Sequence, residues 1–255
     1  MKVGFAGAGN MAAAIARGWS RADGGPEEML FCDLDTERAR SLAQEVGGQT
    51  CAGLAELAAS SDVVVIAVKP AALDQAAEAI GGAAPALLSV VAATPTTRLA
   101  EAFPGVPALR VMPNQPVEVG RGVCCFVEPT GMAPELRDRL VDLLSLLGVA
   151  VAVEEERMEA AMAVMSCAPA YVALFAEALA EAGAAEGLDP QLSLELVAET
   201  LSGTGEMLAE RDPEAIRRAV APPGGATEAG LDALRAGGFV GALEAAFEAS
   251  LERFR

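Results

Sequence analysis

Six residues near the start of the chain, Gly7-Ala8-Gly9-Asn10-Met11-Ala12, have the types and spacing needed to grip phosphate groups. Gly7 permits a tight turn after a strand, Gly9 leaves room for a pyrophosphate, and Ala12 replaces a third glycine where a helix packs closely on that strand. The N–H groups of the first helical turn, around Asn10 and Met11, then face the phosphates. Asp33 stands 26 residues after Gly7, at the end of a second strand pattern. A carboxylate there accepts hydrogen bonds from adenosine ribose hydroxyls and repels a 2′-phosphate, so the pair predicts NAD(P)H binding with NADH slightly preferred. Arg38 and Arg40 are spaced either to reach a 2′-phosphate or to line a solvated helix face.

What is missing from the chain narrows its chemistry. It has no histidine, only two lysines (Lys2 and Lys69), one Tyr and one Trp. Histidine-based dehydrogenases, Ser-His-Asp hydrolases and histidine-rich metal sites are excluded, since each needs an imidazole as base, acid or ligand. No metal is expected. Eighteen Lys and Arg against 36 Asp and Glu leave a net charge of -18, which repels phosphate backbones and anionic lipid surfaces and argues against nucleic acid and membrane partners. The start moves straight into a strand pattern with no export signal, and the longest apolar run noted, Val63 to Val68, falls far short of the roughly 20 residues of a bilayer span. Five cysteines without CxxC spacing suit reduced thiols, so a soluble cytoplasmic protein is expected.

The elements that must hold these residues alternate. Strand patterns at Val3 to Ala6, Met29 to Cys32, Val63 to Val68 and Ala86 to Val91 are interleaved with helical ones at 10–21, 36–46, 73–80 and 96–102. Leu109 to Met112 and Val123 to Val127 extend the sheet, followed by a helix at 134–147 and an edge strand at 149–153. The fold class is α/β: a Rossmann doubly wound sheet over residues 1–154, then an all-helical dimerisation domain over 155–255. Breaks at Gly187-Leu188-Asp189-Pro190, Asp212-Pro213, Pro222-Pro223-Gly224-Gly225 and Gly237-Gly238 divide the second part into about five helices. Ala160 to Ala185 is nearly uncharged apart from Glu177 and Glu181, which predicts one helix surrounded by protein and buried between two chains of a homodimer.

Several segments together resemble the Δ1-pyrroline-5-carboxylate reductase family. They are Gly7-Ala8-Gly9-Asn10-Met11, Ala67-Val68-Lys69-Pro70, Val111-Met112-Pro113-Asn114-Gln115-Pro116, Pro169-Ala170-Tyr171, Pro223-Gly224-Gly225-Ala226-Thr227 and Gly237-Gly238-Phe239. The resemblance implies NAD(P)H-dependent reduction of a cyclic imine carboxylate to proline, a dimer interleaved through the helical domain, and sometimes higher oligomers. It implies that Val68, Lys69 and Pro70 line the cofactor cleft beside Ala92 and Ala93, and that Met112, Pro113 and Asn114 approach the nicotinamide, Asn114 also facing substrate. Gly224, Gly225, Ala226 and Thr227 would hold the substrate carboxylate through backbone N–H groups and a helix start, with Thr227 as the catalytic hydroxyl. Tyr171 is either a rival donor or a packing residue.

Three departures from the family pattern touch the substrate side. Pro222 stands where Ser or Thr is usual and has no N–H to offer. Met165-Ser166-Cys167-Ala168 replaces a Ser-Gly-Ser-Gly run, and Gln115 stands where Thr or Ser is commoner. They leave open a different cyclic imine, and a non-catalytic NAD(H) sensor as a further alternative. The related hydroxyacid dehydrogenases rely on a lysine in the helical domain, and no lysine follows Lys69.

Overall fold

The computed structural model describes residues 1–129 and 131–254. Close packing separates the chain into two units, residues 1–166 with Phe254, and residues 167–253. The first continues 12 residues past the boundary that the change of sequence texture suggests.

Among the described residues the first unit contains strands β1 (Lys2–Ala6), β2 (Glu28–Cys32), β3 (Gln49–Thr50), β4 (Val63–Ile66), β5 (Leu87–Ser89), β6 (Ala108–Pro113), β7 (Gly122–Phe126) and β8 (Gly148–Ala152). Its helices are α1 (Asn10–Arg21), α2 (Thr36–Val46), α3 (Leu54–Ala59), α4 (Leu73–Ile80), α5 (Thr96–Ala102), α6 (Pro134–Ser145) and α7 (Met158–Met165). The sheet order is β3-β2-β1-β4-β5-β6-β7-β8. The strands from β3 to β6 are parallel, β7 runs antiparallel to β6, and β8 is parallel to β7. Chain order reverses direction at β1 and β4, the switch point where a doubly wound sheet opens a crevice for ligands.

One apolar layer packs α1, α2 and α6 on the sheet. Phe5 stacks on Phe31 with ring centroids 4.9 Å apart, and the buried Trp19 indole N–H donates to the Leu143 carbonyl at 2.8 Å. The other layer holds Leu57, Ile66, Leu73, Ile80, Leu99 and Phe103 under α3, α4 and α5. A third cluster of Met112, Cys125, Met158, Met162 and Met165 seats α7, which is why the first unit runs on to Ser166.

The second unit contains α8 (Ala168–Ala185), α9 (Pro190–Glu210), α10 (Pro213–Val220), α11 (Ala226–Ala236) and α12 (Phe239–Phe254). Asp189 and Asp212 cap α9 and α10 by accepting first-turn N–H groups. The buried Ser193 of α9 donates to the Ala180 carbonyl of α8 at 2.8 Å, where Gly183 leaves no room for a Cβ.

Several expectations need correction. The apolar run at 63–68 is strand only to Ile66, after which Ala67 and Val68 leave the ladder, while β3 and α3 carry too little pattern to be read locally. The single helix expected over 160–185 is two, α7 and α8, parted at Ser166-Cys167 because Pro169 cannot continue a helix from its N-terminal side. Within the single chain α8 is largely uncovered, in keeping with a helix expected to be buried between two chains: only Ala180 is buried, while Val172, Leu174, Phe175 and Leu179 are exposed. The helical stretch Glu155–Ala185 is also long and apolar enough to cross a bilayer by length and composition alone, contrary to the expectation that no such stretch exists. Counting uninterrupted apolar runs overlooks an alanine-rich helix with few charges.

Candidate active site

The phosphate turn is built as its residues require. Gly7 has φ +103°, and a Cβ there would lie 2.7 Å from the Ala67 carbonyl oxygen, so only glycine fits. Its N–H donates to the Cys32 carbonyl at 2.8 Å, tying the turn to the end of β2. Gly9, the N-cap of α1, faces open space, and neither a side-chain cap nor a first-turn carboxylate occupies the helix start. These are the features that a pyrophosphate needs.

Asp33 is placed beside this turn and is already engaged. Ala8 N–H donates to its Oδ2 at 2.6 Å, and Asp35 N–H and Arg38 Nη2 donate to its Oδ1 at 2.8 and 2.9 Å. Burial pushes the Asp33 carboxyl up, but these three donors outweigh it and hold its pKa below the ordinary value of 3.8. The carboxylate thus shapes the turn as well as lying where a ribose would bind.

A cavity of about 430 Å³ opens from the turn, lined by Gly9, Asn10, Arg17, Arg38, Ser41 and Gln115. Sequence reading missed Arg17, Ser41 and the side of α2 that faces the cavity. Their signal was helical spacing: Asn10, Ala13 and Arg17 share one face of α1, and Arg38, Ser41, Leu42 and Glu45 share one face of α2. Arg17 pairs with Glu45 at 2.6 Å and with Glu118 at 3.2 Å, fixing the cavity wall.

The remaining expected cofactor residues follow the carboxyl ends of neighbouring parallel strands: Val68, Lys69 and Pro70 after β4, Ala92 and Ala93 after β5, Met112 and Asn114 at and beyond the end of β6. Lys69, Pro70, Ala92 and Ala93 are exposed, and Met11 and Val68 half-buried. Ala93 is the one non-glycine residue with positive φ among those described, at +50°, a strained conformation at a ligand-facing edge. Met112 and Asn114 are buried instead. The Asn114 amide donates to the Met165 carbonyl at 3.1 Å and accepts Val123 N–H at 2.8 Å, so its side chain braces the strand end from within.

Behind that edge lies a charge that sequence reading also missed. Arg110 of β6 is 1 % exposed and is bonded through Nη1 to Glu155, whose other oxygen accepts the Thr96 hydroxyl at the start of α5 at 2.7 Å. Its Nε and Nη2 have no hydrogen-bond partner among the described residues, and Glu159 stands 3.9 Å from Nη2.

In the second unit, the turn Pro222-Pro223-Gly224-Gly225 leads into α11. Gly224 has φ +74°, Gly225 is the N-cap, and the exposed Thr227 lies in the first helical turn. The Glu228 carboxylate reaches back to accept Gly224 N–H at 2.7 Å. Tyr171 is engaged inside its own unit, its hydroxyl 2.6 Å from Ser250 Oγ and 3.4 Å from the Ala246 carbonyl, which fits the packing alternative. All five cysteines are free, and among the described residues no cluster of three His, Cys, Asp or Glu side chains could hold a metal.

Known proteins match both parts of this architecture. Residues 155–255 fit the family described as pyrroline-5-carboxylate reductase dimerisation, and residues 2–94 the family described as NADP oxidoreductase coenzyme F420-dependent. The pyrroline-5-carboxylate reductase of Synechocystis is 33% identical over 258 residues, covering 99% of this chain and 97% of that one. The structure of Plasmodium falciparum pyrroline carboxylate reductase with NADP bound superposes with a TM-score of 0.87 at 28% identity, covering 100% and 97% of the two chains. The 1-pyrroline-5-carboxylate reductase of Streptococcus pyogenes gives 0.86 at 26%, covering 100% and 98%. At 33% identity to a known reductase over nearly its whole length, the chain belongs to the pyrroline-5-carboxylate reductase family.

Proposed function

We propose that this protein reduces 1-pyrroline-5-carboxylate to L-proline with NAD(P)H. The observation that carries the reading is the full-length likeness to the Synechocystis reductase, which spans the phosphate turn and the Pro-Gly-Gly-Ala-Thr turn alike. A reduced nicotinamide, when bound, supplies hydride for the C=N carbon. The protein's share is positioning and electrostatics: Gly7, Gly9, Asn10 and Met11 seat the dinucleotide phosphates, and Val68, Lys69, Pro70, Ala92, Ala93 and Met112 border its nicotinamide half. Asn114 serves by bracing the strand end. A cyclic imine can be protonated near neutral pH, so the absence of histidine is no obstacle.

Gly224, Gly225, Ala226 and Thr227 hold the ring carboxylate, and the Thr227 hydroxyl bonds the imine nitrogen or that carboxylate. NADH is preferred over NADPH because the ionised Asp33 opposes a 2′-phosphate, even though Arg38 lines the same cavity. The protein is a cytoplasmic homodimer from which higher oligomers can be built, and the exposed apolar residues of α8, α9 and α12 support the pairing.

Purified protein mixed with NADH and 1-pyrroline-5-carboxylate is expected to consume absorbance at 340 nm and form proline. Tight NADH binding without turnover would instead favour a sensor. KM for NADH is expected to lie below that for NADPH. Thr227→Ala is expected to lower kcat/KM at least tenfold, about 1.4 kcal/mol, with NADH affinity unchanged; unaltered turnover would remove Thr227 from the mechanism.

A further inference from the structure

The turn assigned to the substrate carboxylate already carries a carboxylate of its own. Glu228, in the first turn of α11, accepts Gly224 N–H at 2.7 Å. Gly224 has positive φ, and Gly225 N–H is spent on the Pro222 carbonyl at 3.0 Å. Pro222 and Pro223 contribute no N–H at all. Beyond these, the first helical turn offers the Ala226 and Thr227 N–H groups and the Thr227 hydroxyl, and Gly224 N–H is the donor held by an internal anion.

We propose that Glu228 is a specificity-determining residue: its carboxylate competes with the substrate's for the Gly224 N–H, weakening selection for ring carboxylates and admitting cyclic imines that lack one. This rests on the reading that the turn is the carboxylate subsite. A substrate carboxylate entering here must displace Glu228 or accept a like charge within a few ångströms, whereas a ring without a carboxylate meets neither cost. Glu228 is the third residue of α11 and ties the residue before its N-cap to the first helical turn, so removing it outright disturbs the helix start. Glu228→Gln keeps an acceptor for Gly224 N–H and removes only the charge.

The test compares wild type and Glu228→Gln with saturating NADH on 1-pyrroline-5-carboxylate and on 1-pyrroline, the same ring without the carboxylate. Glu228→Gln is expected to lower KM for the carboxylated ring about five- to tenfold, leaving KM for 1-pyrroline within twofold and NADH affinity unchanged. Equal shifts for both rings, or none, would overturn the proposal. Calorimetric binding of L-proline and of pyrrolidine gives a readout independent of turnover. Proline alone is expected to bind tighter to Glu228→Gln, and the absence of that tightening overturns the proposal even if neither ring is reduced by wild type. Turnover failure with intact charge-dependent proline binding would count against the reductase reading and leave the role of Glu228 standing.

Discussion

Asp33 illustrates how one side chain can serve two ends. Its three donors come from the phosphate turn, from the segment after β2 and from α2, so its charge organises the turn before any ribose arrives. Asp33→Asn turns one acceptor oxygen into a donor facing N–H groups, and is expected to weaken NADH binding about tenfold, measured by quenching of nucleotide fluorescence. Because the folded carboxyl titrates below its ordinary value of 3.8, its contribution to stability is complete above that pH and is lost as pH falls through the lower folded value. Urea unfolding of Asp33→Asn is therefore expected to show a shallower loss of stability below about pH 4 than wild type. Position and acidity made this residue legible in the sequence, since both lie within one strand-turn-helix unit. Its hold on Ala8 was not, because that bond exists only once β1 and β2 pair. The same limit hid Arg17, whose carboxylate partners lie on α2 and 101 residues away at Glu118, and Arg110, whose partner arrives after the sheet is complete.

At the scale of elements, Glu155 links β6 to α5 from the short helical turn before α7. It neutralises the buried Arg110 and accepts the Thr96 hydroxyl, so the last segment of the first unit secures strands laid down much earlier in the chain. Glu155→Ala leaves the buried guanidinium with only the more distant Glu159 at 3.9 Å and no bonded carboxylate, and is expected to cost about 3 kcal/mol, read from urea unfolding followed by Trp19 fluorescence. Strands and helices with strong periodicity were readable, as were the breaks carrying paired Pro or Gly. The failures have physical causes: the two residues of β3 make no pattern, and the alanine-rich texture of 160–185 outweighed the stop that Pro169 imposes. The departures at Met165 to Ala168 fall at that same stop, where Met165 also provides the carbonyl that anchors Asn114.

For the whole molecule, the second unit displays Leu174, Phe175, Leu192, Leu196, Val240 and Leu243 to solvent, more apolar surface than a lone helical bundle would leave uncovered. Leu174→Glu is expected to shift sedimentation from dimer to monomer and to make the melting temperature independent of protein concentration. The charge of -18 adds a consequence. Bringing two such chains together sets like charge against like, so the apolar contact forms against an electrostatic load that ions relieve. Added salt is thus expected to tighten the assembly, opposite to its effect on the Arg17 and Arg38 ion pairs of the first unit. Dilution into low salt becomes the condition in which the protein is most easily lost.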